Sequence, residues 1–361
     1  MPVPLFDTTT ALEPLRERID AAIAEVVAAR RFILGPSVAA FEEELARYCG
    51  TRHAVGVANG TDAITIALRS MGVGPGDDVI VPSFTFYATA EAVPATGARP
   101  VFCDVDPDTY CITAETVAAA LTPATKAVVA VHLFGNLAPV AAIEALGVPV
   151  LEDAAQAAGT RSAAGRAGAL GRAATFSFFP SKNLGCFGDG GAITTDDDAV
   201  AEQARMLRFH GSHDKVTYEH VGYNSRLDEL QAAILRVQLP SLDSWSDGRR
   251  AAARHYEQAG LGELVSLPVA GDGCEPAWHL YVVRSERVDE LAAGLPKHAI
   301  GCKSYYRLPV HRQPAMRAFA GGVQLPVTDA VASTHLALPM SPVLSAAQAA
   351  EVVAAVRAVL G

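Results

Sequence analysis

Short apolar runs and amphipathic stretches alternate along most of this chain. Apolar positions recur at helical spacing in LEPLRERIDAAIAEVVAARRF and in SVAAFEEELARYCG. HAVGVAN then reads as a strand and TDAITIALRSMG as a helix. DDVIVP, RPVFCDV, KAVVAVHLF and VPVLED are nearly continuous in apolar residues, as strands covered on both faces are, and helical segments separate them. The repeated strand–helix order predicts an α/β fold, with a mainly parallel sheet covered by helices on both faces. Ligands of such sheets sit beyond the carboxyl ends of the strands. Asp153, His132 and the Asn59–Thr61 loop all fall at such ends.

After GYNSRLDELQAAILRVQLPSLDSW the pattern changes. A helix is expected over Leu227–Leu239, ended by Pro240, and a longer one from about Ser246 to Gln258. A strand, AWHLYVVR, a helix around Val288–Leu295 and a last helix, SAAQAAEVVAAVRAVL, follow. Few strands and many proline breaks predict a smaller C-terminal α+β domain over residues 241–361, after a large domain over residues 1–240.

Composition narrows the functional classes. Of 361 residues, 50% are hydrophobic and 19% charged, the profile of a globular protein. A formal net charge of −10 argues against nucleic acid as the main partner. The N-terminal stretch MPVPLFDTTTALEPLRERID has no basic segment leading into an apolar core, and no apolar run approaches ~20 residues. Neither a signal peptide nor a membrane span is expected, and the cytoplasm is the expected compartment. The six cysteines form no CxxC pair, so neither zinc nor a disulfide framework is expected.

The chemistry concentrates in FSFFPSKNLGCFGDGG. Lys182 stands just after an apolar, strand-like run and just before a loop too rich in glycine for a regular helix. Upstream, in LEDAAQ, Asp153 closes another apolar run. A lone lysine is usually a solvated surface group, and an aspartate after a strand is often a helix cap. Together, at two strand ends of an α/β chain, they match the needs of pyridoxal 5′-phosphate (PLP). The lysine can hold that cofactor as a Schiff base, and the aspartate can keep its pyridine nitrogen protonated. The phosphate candidate is ANGTDAI, where Gly60 permits close backbone approach and a helix begins near Thr61. Equally, Asn59 or Thr61 could simply cap that helix. Ser177 is a second phosphate donor, or a hydroxyl bonded within the sheet. In PSFTFYAT, Phe86 is the residue placed to stack on a planar ring, whereas Phe84 reads as core. Gln156 could reach the ring's edge or be an ordinary first-turn residue. His132 reads equally well as a satisfied buried histidine or a site residue, and Cys186 as a small filler.

The strings NGTDAI, PSFTFYAT, EDAAQAAG, FSFFPSKNLG, GDGGAITTDD, GYNSRLDELQAA and YYRLPVHRQPA occur in the order seen in the DegT/DnrJ/EryC1/StrS family. From about Phe32 to the C-terminus the chain resembles these PLP-dependent sugar aminotransferases of fold type I. The resemblance implies that Lys182 is the Schiff-base lysine and Asp153 the partner of the pyridine nitrogen. It implies phosphate contacts from Gly60, Thr61 and Ser177, ring stacking by Phe86, and Gln156 beside the ring hydroxyl. It further implies that Asn224 reaches the phosphate of a neighbouring subunit, so that the site would be shared in a homodimer, with Arg226 near substrate. A histidine at the lysine position marks a dehydratase subgroup, so Lys182 favours transamination. Where the family often has His-Tyr-Pro, this chain has Tyr305, Tyr306 and Arg307, while Pro309 and His311 match; Tyr306 and His311 are the expected sugar contacts. The implied reaction moves an amino group from L-glutamate to a nucleotide-linked keto sugar, with 3-keto favoured over 4-keto. A keto cyclitol acceptor and a PLP-binding regulator without turnover are the alternatives.

Overall fold

The five apolar runs before residue 160 condense into neighbouring strands of one sheet. In the computed structural model, which describes residues 2–361, these are β1 (His53–Val57), β2 (Asp78–Pro82), β3 (Arg99–Cys103), β4 (Thr125–Val131) and β5 (Val150–Asp153). A minimal hairpin, β6 (Arg161–Ser162) and β7 (Gly165–Arg166), precedes β8 (Ala173–Ser177) and β9 (Gly191–Thr195). The sheet order is β1-β9-β8-β5-β4-β2-β3. Strands β8, β5, β4, β2 and β3 pair in parallel, while β9 runs antiparallel to both β8 and β1. The sheet is thus mainly parallel with one reversed strand. The carboxyl ends of β1, β2, β4, β5 and β8 share one edge, and the loop from β8 to β9 carries Lys182 there.

Alternation along the buried strands separates two cores. Val79 and Val81 of β2 pack with Val55, Val129, Leu151 and the helix Gly60–Ser70 on one face. Ile80 packs with Val128, Val150, Val117 and Ile143 on the other. Each such side chain contributes roughly 1.5–3 kcal/mol by leaving water. A third cluster joins Phe41 and Leu45 of the helix Pro36–Cys49 to Phe178 and Leu184, which anchors the loop on either side of Lys182.

The remaining layer holds two short antiparallel strands, β10 (Tyr281–Arg284) and β11 (His335–Leu338). The helices Leu242–Gln258, Val288–Gly294 and Ala346–Leu360 surround them, with Tyr256, Tyr281, Leu291, Leu336 and Val352 inside. Two expectations change here. The longer helix begins at Leu242 rather than Ser246, because Pro240 sits in a single 3-10 turn, Leu239–Ser241, where a first-turn proline needs no N–H. AWHLYVVR enters the ladder only at Tyr281, since Trp278 has φ +38 and breaks the extended backbone. The two cores are also not separated at residue 240 alone. Val3 packs in the small core, held by Val3 N donating to Ala299 O at 3.0 Å, whereas Val310, Met316 and Leu325 return to the sheet. Among the described residues, no helix is long and apolar enough to cross a membrane.

Candidate active site

The shared carboxyl edge opens into a cavity of about 410 Å³. Its wall includes Gly60, Thr61, Phe86, Asp153, Gln156, Ser177, Lys182 and Tyr306, eight of the candidates read from the sequence. The parallel register explains part of this convergence. Asp153 pairs with Thr175 on β8, so Asp153 and Ser177 end adjacent strands.

Asp153 is only 5% exposed. Its Oδ2 accepts from Thr89 Oγ1 at 2.8 Å and its Oδ1 from Ala155 N at 3.2 Å. Burial pushes its carboxyl above the usual carboxylate range; the two hydrogen bonds and Lys182 pull the other way. Thr89 Oγ1 lies 3.0 Å from Thr85 Oγ1, and because the Thr89 proton goes to Asp153, Thr85 is the donor of that pair. Lys182 is partly buried, and desolvation lowers its amine to about 8, against a smaller upward pull from Asp153. The loop holds it through Lys182 N donating to Phe179 O at 2.8 Å.

The phosphate cradle can be tested on the backbone. Asn59 is the N-cap of the helix Gly60–Ser70, its Oδ1 accepting from Asp62 N at 2.8 Å. The capping reading therefore holds for Asn59, and the first-turn N–H groups of Gly60 and Thr61 stay free for an anion. A Cβ on Gly60 would lie 2.8 Å from Ser177 Cβ, and one on Gly191 would lie 2.4 Å from Asn59 O. Only glycine leaves that gap open. Ser177 Oγ accepts from Phe179 N at 3.4 Å, which leaves its proton to donate elsewhere. Phe86, 54% exposed, lines the cavity with its ring centroid 5.8 Å from that of Tyr306, whereas Phe84 is fully buried in the core. Gln156 Oε1 accepts from Phe134 N at 2.9 Å, and its Nε2 donates to Tyr306 Oη at 3.2 Å. Burial raises the Tyr306 phenol well above its ordinary range. An anion cradle, a buried acid, a lysine with a depressed amine and an exposed aromatic ring in the wall fit PLP.

Comparison with known proteins decides the family. Residues 14–357 match the DegT/DnrJ/EryC1/StrS aminotransferase family. The chain belongs to that family. A dTDP-3-amino-3,4,6-trideoxy-alpha-D-glucose transaminase from Streptomyces venezuelae is 47% identical, over 98% of this chain and 95% of its own length. A "pleiotropic regulatory protein" from Geobacillus stearothermophilus is 46% identical, over 96% of each. The crystal structure of S. venezuelae DesV with a ketimine intermediate superposes with a TM-score of 0.95 at 46% identity, over 99% of this chain and 98% of that one. The protein is a PLP-dependent aminotransferase of fold type I.

Three candidates of this aminotransferase lie outside the chain's own cavity. Asn224 is exposed and meets Phe209 in an isolated bridge; Arg226 is half-buried and does not line the wall. His311 is buried elsewhere, its Nδ1 2.6 Å from Ser83 Oγ and its ring against Phe102. A sugar contact by His311 within this cavity is therefore not what the fold provides, because Ser83 at the end of β2 holds the ring. His132 is the satisfied buried histidine: Nδ1 accepts from Ala138 N at 3.1 Å, so Nε2 carries the proton toward Glu152 at 2.7 Å. Cys186 is buried, its Sγ 3.0 Å from Phe178 O, and burial raises its thiol to about 12.

Other residues of the wall were not singled out from sequence. Thr89 and Thr85 sit four apart in PSFTFYAT, and a polar pair in an apolar run is the signal that could have found them. Phe6 and His279 also line the cavity, stacked on each other with centroids 6.0 Å apart. Phe6 carries no local signal. It arrives because the N-terminal segment is tied to the small core.

Proposed function

We propose that this aminotransferase moves an amino group from L-glutamate to a nucleotide-linked keto sugar, with a 3-keto sugar favoured over a 4-keto one. The observation that carries the reading is that Lys182 and Asp153, at the ends of adjacent parts of one sheet, face the same cavity. Bound PLP supplies a carbonyl carbon that takes up the amino group and a ring that accepts the displaced electron pair. The amine of Lys182, lowered to about 8, would be the nucleophile that holds the cofactor. The same amine would take the proton from the donor's α-carbon and later return one to the sugar carbon. Asp153, held by Thr89 and the Ala155 N–H, keeps a proton on the pyridine nitrogen. Gly60, Thr61 and Ser177 would hold the phosphate, Phe86 would pack on the ring, and Gln156 would lie at its hydroxyl edge.

Two features support the sugar. Phe6, Phe86, Phe179, Tyr305 and Tyr306 give the cavity aromatic walls suited to the C–H face of a pyranose, and among the described residues Lys182 is the one lysine or arginine that lines it. That inventory favours a neutral sugar over a sugar acid. The identity with a dTDP-3-amino sugar transaminase favours position 3. The Geobacillus relative is named for regulation, but the paired Lys182 and Asp153 support turnover in this chain. A homodimer with a shared site is supported by exposed Phe179, Phe187 and Val221, and by Asn224 and Arg226 lying outside the chain's own cavity. The free, unpaired cysteines support a reducing compartment, the cytoplasm.

Incubation with L-glutamate and dTDP- or UDP-linked 3-keto hexoses, beside 4-keto hexoses and a free keto cyclitol, tests the reading. Equimolar 2-oxoglutarate and a 3-amino sugar nucleotide are expected, and Lys182→Ala abolishes both. Turnover of the cyclitol alone would replace the acceptor, and full activity in Lys182→Ala would end the proposal.

A further inference from the structure

Five buried side-chain atoms have no hydrogen-bond partner among the described residues, and three of them surround Lys182. They are Asn183 Oδ1, Arg249 Nε and His279 Nδ1. Asn183 follows Lys182 in the loop, and its Nδ2 donates to Ala277 O at 2.9 Å. Arg249, on the helix Leu242–Gln258, donates from Nη1 to Trp278 O at 3.1 Å. Both therefore grip the short segment that ends in His279. Arg249 also lines a second, small cavity of about 40 Å³ together with Lys182 and Asn183. It has no acidic partner among the described residues and is 7% exposed. A buried cation without a counter-ion is costly to folding, and such departures concentrate at functional sites.

His279 is 4% exposed and lines the main cavity. Burial first, then the charges of Lys182 and Arg249, hold its ring well below the usual histidine range. The acids Asp153 and Asp189 and the phenols of Tyr305 and Tyr306 complete the titratable lining of that cavity. A ring so placed offers one N–H and one lone pair at neutral pH. It suits an uncharged partner and is a poor anchor for a carboxylate. Phe6 stacks beside it, so an apolar face and a polar tip meet at one point.

We propose that His279 is a further substrate-contacting residue: an imidazole of the cavity wall, stacked on Phe6, which hydrogen-bonds an uncharged hydroxyl of the sugar. Asn183 and Arg249 act as positioning residues, through the backbone of Ala277 and Trp278. The inference rests on the keto-sugar reading above, and the experiment separates the two.

Binding of dTDP- and UDP-linked 3-amino hexoses to cofactor-free protein is measured by calorimetry for wild type, His279→Leu and His279→Asn. His279→Leu is expected to weaken the tightest of these ligands roughly tenfold, and His279→Asn, which keeps a donor and an acceptor, to stay within about threefold. A histidine NMR titration of the same cofactor-free wild type should show a His279 ring that titrates well below the ordinary histidine range. Arg249→Met should move its titration upward, and Arg249→Lys should restore the wild-type behaviour. If no such hexose binds wild type, the sugar reading falls and this inference with it. Equal binding by wild type and His279→Leu would overturn the inference alone. So would a wild-type His279 titrating near its ordinary value, a result that needs no variant to fold.

Discussion

An amine that must attack a carbonyl and then carry protons has to be neutral near the pH at which it works. In the proposed mechanism Lys182 approaches that state by desolvation, which lowers its amine from 10.5 to about 8. The shift has a consequence for stability with a definite sign. Between about pH 8 and 10.5 an unfolded lysine still binds the proton that folded Lys182 has released. The unfolded state then holds more protons, so stability rises with pH across that window and the penalty is greatest below it. Cofactor-free Lys182→Met lacks this term. Its denaturation midpoint should exceed that of wild type near pH 7, with the gap closing as pH rises toward 10; a gap independent of pH would refute the assignment. At this scale the sequence was most readable where chemistry and local pattern coincide. Lys182 and Asp153 each close an apolar run, and Gly60 opens a helix. Thr89 left only the faint signal of a polar pair in an apolar run, and His279 was not readable, because what makes it matter is the approach of segments far apart in the chain.

At the scale of elements, β5 shows how one strand divides its work. Successive side chains point to opposite faces, so Asp153 meets the cavity while Glu152 is turned away from it. Glu152 is fully buried and accepts from Gly168 N at 2.9 Å, Leu170 N at 2.7 Å and Gly171 N at 2.9 Å, besides its contact with His132. It pins the segment before β8, and β8 in turn positions Ser177 and the Lys182 loop. Glu152→Gln places an amide donor against these donors. The expected loss is about 3 kcal/mol in chemical denaturation, with activity per folded molecule retained. Equal stability would mean that the segment is held by packing alone. The parallel strands were legible because burial on both faces leaves continuous apolar runs. The start of the helix at Leu242 was not, since Pro240 reads locally as a stop although it occupies a turn that needs no N–H from it. AWHLYVVR misled for the opposite reason: its β-prone residues conceal the positive φ of Trp278, which tertiary contacts impose.

Around the site the whole molecule leaves several large apolar side chains exposed. Phe179 and Phe187 flank the Lys182 loop at 52% and 50% exposure, and Val216, Tyr218 and Val221 stand out from the segment that leads to Asn224. Apolar groups so exposed and so close to a reactive centre call for a cover. A second copy related by a twofold axis would supply the same surface in return, so each Asn224 could enter the other chain's cradle. That arrangement makes a prediction no single-chain site shares. Lys182→Ala would remove the chemistry of its own cavity but leave an intact Asn224 to lend, whereas Asn224→Ala would keep Lys182 but impair the phosphate site of its neighbour. Each homodimer should have little activity. Unfolded together and refolded as a mixture, the two variants should form hybrids in which one site receives both Lys182 and Asn224, and turnover should rise above the sum of the separate samples. Sedimentation should show dimers throughout. Activity that never exceeds the sum, with hybrids present, would mean that each chain completes its own site and that the exposed apolar surface has another use.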